Sequence, residues 1–270
     1  MINTPFNYTG SKFSLLPQLL PHFDYTKNYF IDLFCGGGSI YTNILDKYER
    51  ILINDKIPEL IQIHKSLIQN PNDFVEKTKS LCPKKDDPEA YDLLRKDFNS
   101  EKSPEKLWAL MLSCTNNMLR FNQKFIFNQS FGKRTFNSNT QIKVDEFIQH
   151  TQKYKDKIYF SSKDFFEIIP QKPSMVYADP PYTNTDAGYN CYWNQALEDK
   201  LYQYLLDLDK SGSSFMLSGV LGKHTKEKES KIINKLIEDG YKWKILDHNY
   251  KKVSRQKEEK ESQEVIIFNY

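Results

Sequence analysis

The hydrophobic positions of this chain fall into one rhythm that is interrupted and then resumed. Apolar runs at Tyr29 to Phe34, interrupted only by Asp32, and at Ile51 to Ile53 are each followed by a helix-like stretch, the second opened by Pro58. An unbroken run, unlike an alternating one, suits a strand covered on both faces, so the segment reads as βαβα feeding a parallel sheet. Runs of the same kind return at Ile158 to Phe160, Met175 to Ala178, Ser214 to Leu217, Trp243 to Leu246 and Val265 to Phe268. Helix-periodic stretches, Leu197 to Leu208 and Lys231 to Leu236, lie between several of them. The expected fold class is α/β, with a mostly parallel sheet and an antiparallel C-terminal edge.

Between roughly residues 57 and 147 the strand signals vanish and helix formers dominate, with Trp108, Leu110, Met111 and Leu112 spaced like a buried helical face. The expected division is therefore a core of residues 1–56 and 148–270, with residues 57–147 as a helical insertion. The insertion ends in Asn117 to Thr135, where Phe125, Phe127 and Phe131 alternate with polar residues around a turn. That pattern predicts a hairpin or loop rich in Arg, Lys and Asn.

Composition narrows this picture only a little. Lys and Arg number 38 against 35 Asp and Glu, a net charge of +3, so any polyanionic partner must be met by local basic clusters. The cysteines Cys35, Cys82, Cys114 and Cys191 lack CxxC or Cys/His ligand spacing, so neither a zinc site nor a disulfide framework is expected. A reducing cytoplasm fits them. No apolar run is long enough for a bilayer, and the N-terminus lacks the layout of a signal peptide.

Two clusters carry chemistry. Asp32-Leu33-Phe34-Cys35-Gly36-Gly37-Gly38-Ser39 follows a strand and precedes a helix, where glycines let backbone pass close to a bound nucleoside. The spacing does not satisfy GxGxxG, which disfavours a dinucleotide. About twenty residues on, as the dinucleotide folds space it, Asp55 closes the second strand, placed to accept from ribose hydroxyls. The second cluster, Asp179-Pro180-Pro181-Tyr182, closes the strand Met175 to Ala178. An exocyclic aromatic amine is a poor nucleophile because its lone pair is delocalised into the ring. Two acceptors, the Asp179 carboxylate and the Pro180 carbonyl, would draw its nitrogen toward tetrahedral geometry and stabilise the positive charge that develops. The prolines fix that carbonyl's direction, and Tyr182 offers a face for a base.

With Tyr8-Thr9-Gly10-Ser11-Lys12, Ser161 to Phe165 and Glu264 to Tyr270 added in order, the chain resembles the Dam family, the D12 class of DNA adenine N6-methyltransferases. The glycine loop precedes the catalytic tetrapeptide, as in the family's α arrangement, where the insertion is the target-recognition domain. The resemblance implies a Rossmann-like core, S-adenosyl-L-methionine as cofactor and double-stranded DNA as partner, with no metal and no membrane. It implies a cofactor pocket of Tyr8, Gly10, Lys12, Asp32, Phe34, Gly36, Gly38, Ser39, Asp55, Asp164, Phe165 and Asp179. Lys12 would meet the methionine carboxylate, Asp55 the ribose and Asp164 the cofactor adenine. In the insertion, Arg120 and Arg134 are candidates for bidentate guanine contacts, Asn122 for an adenine or a phosphate, and Met118 for a thymine methyl. Lys133 suits a phosphate, and Ser130 completes the DNA-facing set.

Competing substrates for the same pocket are RNA adenine, cytosine N4 and a protein glutamine side chain; a different class is a catalytically silent, sequence-specific DNA-binding protein. Neither the oligomeric state, monomer or weak dimer, nor pairing with a cognate restriction endonuclease is set by these residues.

Overall fold

The computed structural model describes residues 1–6, 8, 10–181, 193–221, 231–247 and 263–270. Seven strands form one sheet: β1 (Tyr29–Asp32), β2 (Arg50–Asn54), β3 (Ile158–Ser161), β4 (Met175–Ala178), β5 (Ser214–Leu221), β6 (Lys242–Leu246) and β7 (Gln263–Phe268). Their spatial order is β3-β2-β1-β4-β5-β7-β6. The first five are parallel, and β7 inserts antiparallel between β5 and β6, as the hydrophobic pattern predicts. The run that begins at Tyr29 leaves the sheet at Asp32, because Leu33 to Gly38 turn away to build a loop.

β4 is buried at all four positions, which is why its sequence is a continuous apolar run with no alternation. Two cores cover the faces of the sheet. One joins β1, β2 and the N-terminal segment to the helices α3 (Pro58–Gln69), α4 (Pro71–Leu81), α5 (Pro88–Ser100), α6 (Pro104–Ser113) and α7 (Ser138–Thr151). The other lies beneath α8 (Gln195–Lys210) and α9 (Lys231–Glu238). Two shorter helices, α1 (Leu16–Leu19) and α2 (Ser39–Thr42), sit before and after β1.

Local chemistry sets the helix starts. Pro occupies the first helical position of α3, α4, α5 and α6, where its missing N–H costs nothing. Asp87, Ser103, Asn137 and Asn194 cap α5, α6, α7 and α8 through side-chain oxygens. Trp108 on α6 is fully buried and stacks on Phe74 of α4, with ring centroids 5.3 Å apart and planes 2° from parallel. One continuous apolar cluster therefore runs from the sheet into residues 57–147. After α6 the chain makes a small hairpin, marked by antiparallel bridges Cys114 to Phe131 and Phe121 to Phe127.

Candidate active site

Strand order reverses direction between β1 and β4, and in an open parallel sheet such a switch point leaves a crevice at the carboxyl ends of the strands. The crevice is held together by one amide. Asn54 ends β2, and its Nδ2 donates to the carbonyls of Leu33 and Lys163 at 3.0 and 3.1 Å. Its Oδ1 accepts from the Lys163 N–H at 3.1 Å, so the loops after β1 and β3 are tied to the end of β2. The Cys35 N–H donates to the Asn54 carbonyl at 2.8 Å and pins the glycine turn there. Asp55 follows, its Oδ2 accepting from the Gly36 N–H and its Oδ1 from the Ile57 N–H, both at 3.1 Å. Burial pushes the Asp55 carboxyl up to about 6, against the pull of those two N–H groups.

The glycines pack more tightly than the sequence implies. A Cβ on Gly36 would lie 2.9 Å from Tyr8 Cε1, so Tyr8 can lie across the turn only because that Cβ is missing. Gly38, expected to line the cofactor pocket, instead sits behind it in the left-handed conformation at the start of α2. Its Cβ would fall 2.4 Å from Tyr41 Cε1. Room for a nucleoside is thus one reason for this glycine run, and close packing of two tyrosines is another.

Charge converges on the crevice from distant parts of the chain. Lys12 Nζ lies 2.9 Å from Asp179 Oδ2, with both side chains largely buried. Burial by itself would lower the Lys12 ammonium's pKa, yet the carboxylates of Asp179 and Glu264 hold it above its ordinary value. The sequence expectation set Lys12 against a cofactor carboxylate; here Lys12 pairs with the Asp179 side chain, both residues lining the same cleft. Asp32 is almost fully buried, and its Oδ1 lacks a hydrogen-bond partner among the described residues. Burial, with the neighbouring carboxylates of Asp179 and Asp55, pushes Asp32 well above the usual carboxylate range. Asp32, Asp55, Asp164 and Asp179 line the cleft against Lys12, Lys56 and Lys163, and the buried oxygen of Asp32 that lacks a partner is the atom that would gain most from an arriving cation.

The remaining wall is aromatic. Phe34 and Phe165 face each other at 5.5 Å, and Trp193 stands edge-on to Phe34 at 5.7 Å. Asp164 opens the turn Phe165–Glu167 in a reciprocal cap with Glu167 and also pairs with Lys56 at 2.8 Å. Tyr8, Gly10, Lys12, Asp32, Phe34, Gly36, Ser39, Asp55, Asp164, Phe165, Asp179, Pro180 and Pro181 all line this one cleft. Tyr182 lies outside the described residues. Leu119 and Trp193 also line it and were missed. Leu119 sits in a hairpin segment read for contacts to DNA, and a lone Trp before a helix carries no sequence signal.

The six residues proposed to face DNA lie apart from the cleft, on or beside the hairpin. Arg120, Ser130, Lys133 and Arg134 are exposed, and Met118 is half-buried. Arg134 donates to Asn117 Oδ1, and the Ser130 hydroxyl meets Thr115 Oγ1 at 3.0 Å. Asn122 has a structural duty that its sequence reading omitted: its Oδ1 accepts from the N–H groups of Lys124 and Ile126 at 2.9 and 3.1 Å. That oxygen shapes the turn, so a bidentate reading of adenine through Asn122 would cost the turn two hydrogen bonds.

The sheet order and the crevice at its switch point define a Rossmann-like α/β core with a cleft at the carboxyl ends of its strands. The chain belongs to the family described as D12 class N6 adenine-specific DNA methyltransferase, whose model matches residues 8–257. It is 31% identical to the modification methylase StsI of Streptococcus sanguinis, over 100% of this chain and 43% of that protein. It is 30% identical to the type II methyltransferase M.FokI of Planomicrobium okeanokoites, with the same shares covered. A DNA adenine methylase of Haemophilus influenzae is 28% identical, over 77% of this chain and 74% of its own length. The chain therefore spans less than half the length of the first two relatives.

Proposed function

We propose that this chain transfers the methyl group of S-adenosyl-L-methionine to the exocyclic N6 of an adenine in double-stranded DNA. The observation that supports the reading is that Asp179 and Pro180 line the same cleft as Asp32, Asp55 and the aromatic pair Phe34 and Phe165. The cofactor fits those residues. Its ammonium and sulfonium charges suit the unpartnered Oδ1 of Asp32 among neighbouring carboxylates, its ribose suits Asp55, and its adenine suits Phe34 and Phe165. When bound, it supplies an electrophilic methyl group on a cationic sulfur.

The protein's own part is to hold and polarise the amine. Asp179 accepts a hydrogen bond from N6 while Lys12 fixes the direction of the carboxylate. The Pro180 carbonyl accepts the second N6 hydrogen, and together they stabilise positive charge as it grows on nitrogen. The adenine reaches this cleft only outside the helical stack, so it is flipped out, at a cost of a few kcal/mol. Tyr182 is proposed to stack on it. The hairpin, with Arg120, Lys133 and Arg134, would hold the duplex and read a short site, GATC or a related sequence. Relatives named as modification methylases favour a role beside a restriction endonuclease.

Incubation of the protein with tritiated-methyl cofactor and duplex DNA, single-stranded RNA or a glutamine peptide tests the reading. N6-methyladenine formed in the duplex is expected. DNA binding that is indifferent to the cofactor, with no methyl transferred, would leave the chain a silent DNA-binding protein.

A further inference from the structure

We propose that His64 is a positioning residue that clamps the Gly36 peptide of the glycine loop in the conformation that receives the cofactor. The proposal rests on the reading of the cleft as an S-adenosyl-L-methionine site. His64 lies on the buried face of α3, beside Leu60, Ile61, Ile63, Leu67 and Ile68, and is fully buried. A ring buried in this way must satisfy both nitrogens. Nε2 lies 2.8 Å from the Gly36 carbonyl, which only accepts, so Nε2 carries the hydrogen. Nδ1 then accepts from the Tyr41 hydroxyl, 2.9 Å away. Burial pulls the imidazole down to about 4, so the ring stays neutral and keeps this tautomer at neutral pH.

The same glycine is held from its other side. The Gly36 N–H donates to Asp55, so both hydrogen-bonding groups of one residue with φ of 47° are engaged, one from β2's end and one from α3. Tyr8 crosses one side of the loop and Phe6 packs on the His64 ring at 4.6 Å. A Cβ on Gly38 would strike Tyr41 at 2.4 Å and His64 Cε1 at 2.9 Å, so the pair leaves no slack behind the loop. Removing the Nε2 donor leaves the Gly36 carbonyl only the long, weak 3.9 Å contact from the Cys35 thiol and loosens the hold on the peptide. Cofactor affinity then falls while the amine-polarising groups at β4 stay in place. Because α3 opens the helical insertion, the clamp also joins that insertion to the cofactor loop.

Two amide substitutions separate the nitrogens. His64→Gln can present a donor near the Nε2 position, whereas His64→Asn can serve only the Nδ1 position. Titration of the full chain with S-adenosyl-L-methionine, alongside steady-state methylation, reads the effect. His64→Asn should raise Kd and KM for the cofactor on the order of tenfold, the factor that about 1.4 kcal/mol makes, with a smaller effect on kcat. His64→Gln should recover to within about threefold of the unsubstituted chain. Equal losses in both amides, or an unchanged Kd in His64→Asn, overturn the clamp. If His64→Asn does not fold, Tyr41→Phe decides: a Kd raised by about threefold or more supports the clamp and an unchanged Kd contradicts it. An unsubstituted chain that fails to bind the cofactor rejects the methyltransferase reading instead.

Discussion

Replacing Lys12 by methionine removes a charge and leaves a stem of similar length, which isolates the electrostatic role of this residue. The pair with Asp179 spans 2.9 Å, with the two side chains 5% and 18% exposed. Breaking a buried pair from one side costs about 3 to 5 kcal/mol, because the surviving charge is left in a poor solvent. Asp179 keeps some contact with water, so the orphaned carboxylate relaxes partly by solvation. A loss of about 3 kcal/mol follows, or a fall in Tm of about 6 to 12 °C at 2 to 4 °C per kcal/mol for a chain of this size. Lys12→Met with Asp179→Asn should cost less than Lys12→Met alone, since the Asp179 charge is no longer left without its cation. Urea unfolding followed by circular dichroism on the four proteins gives the coupling energy, expected near 1.5 kcal/mol or more. A coupling below about 0.5 kcal/mol, the range of an exposed pair, would refute the buried-pair reasoning.

Two further outcomes follow from the same geometry. Folding raises the Asp55 carboxyl from 3.8 to about 6, so its ionisation weighs against the folded state as pH rises through that window. Asp55→Asn should therefore gain stability relative to the unsubstituted chain between pH 4 and about 7, by at most about 3 kcal/mol and less in proportion to its contact with water. A difference that stays flat with pH would contradict this, and stability curves at several pH values decide it. Arg134→Ala separates phosphate binding from base reading. A guanine contact predicts a loss of about 1 to 3 kcal/mol confined to the cognate site, whereas a phosphate contact predicts a uniform loss and a salt slope smaller by about 1.

Much of the sheet could be read from the sequence because the central strands β4 and β5 are buried on both faces and so declare themselves by apolar runs, whereas β6, exposed at Lys242 to Ile245, lies at the sheet's edge. The helical segment was equally plain, with Pro and capping residues punctuating it. Contacts between distant segments were not legible. Nothing in the N-terminal segment indicates that Lys12 meets Asp179, since that pair depends on how the first residues cross the sheet. His64 was hidden for the opposite reason: a histidine within an apolar helix looks like ordinary core, and only the glycine loop behind it gives the ring a purpose. Asn122 shows how polar residues mislead, because its side chain serves the turn that carries it as well as anything outside. Gly10 and Gly36 line the cleft whereas Gly38 does not, and the tyrosines that press on Gly36 and Gly38 carried no signal in the sequence.

The central claim is that Asp179 polarises an adenine amine for methyl transfer, and Asp179→Ala tests it most directly. With tritiated-methyl cofactor and duplex DNA, the variant should still bind S-adenosyl-L-methionine, though more weakly, and should form no N6-methyladenine. Methyl transfer at a rate near that of the unsubstituted chain would contradict the account.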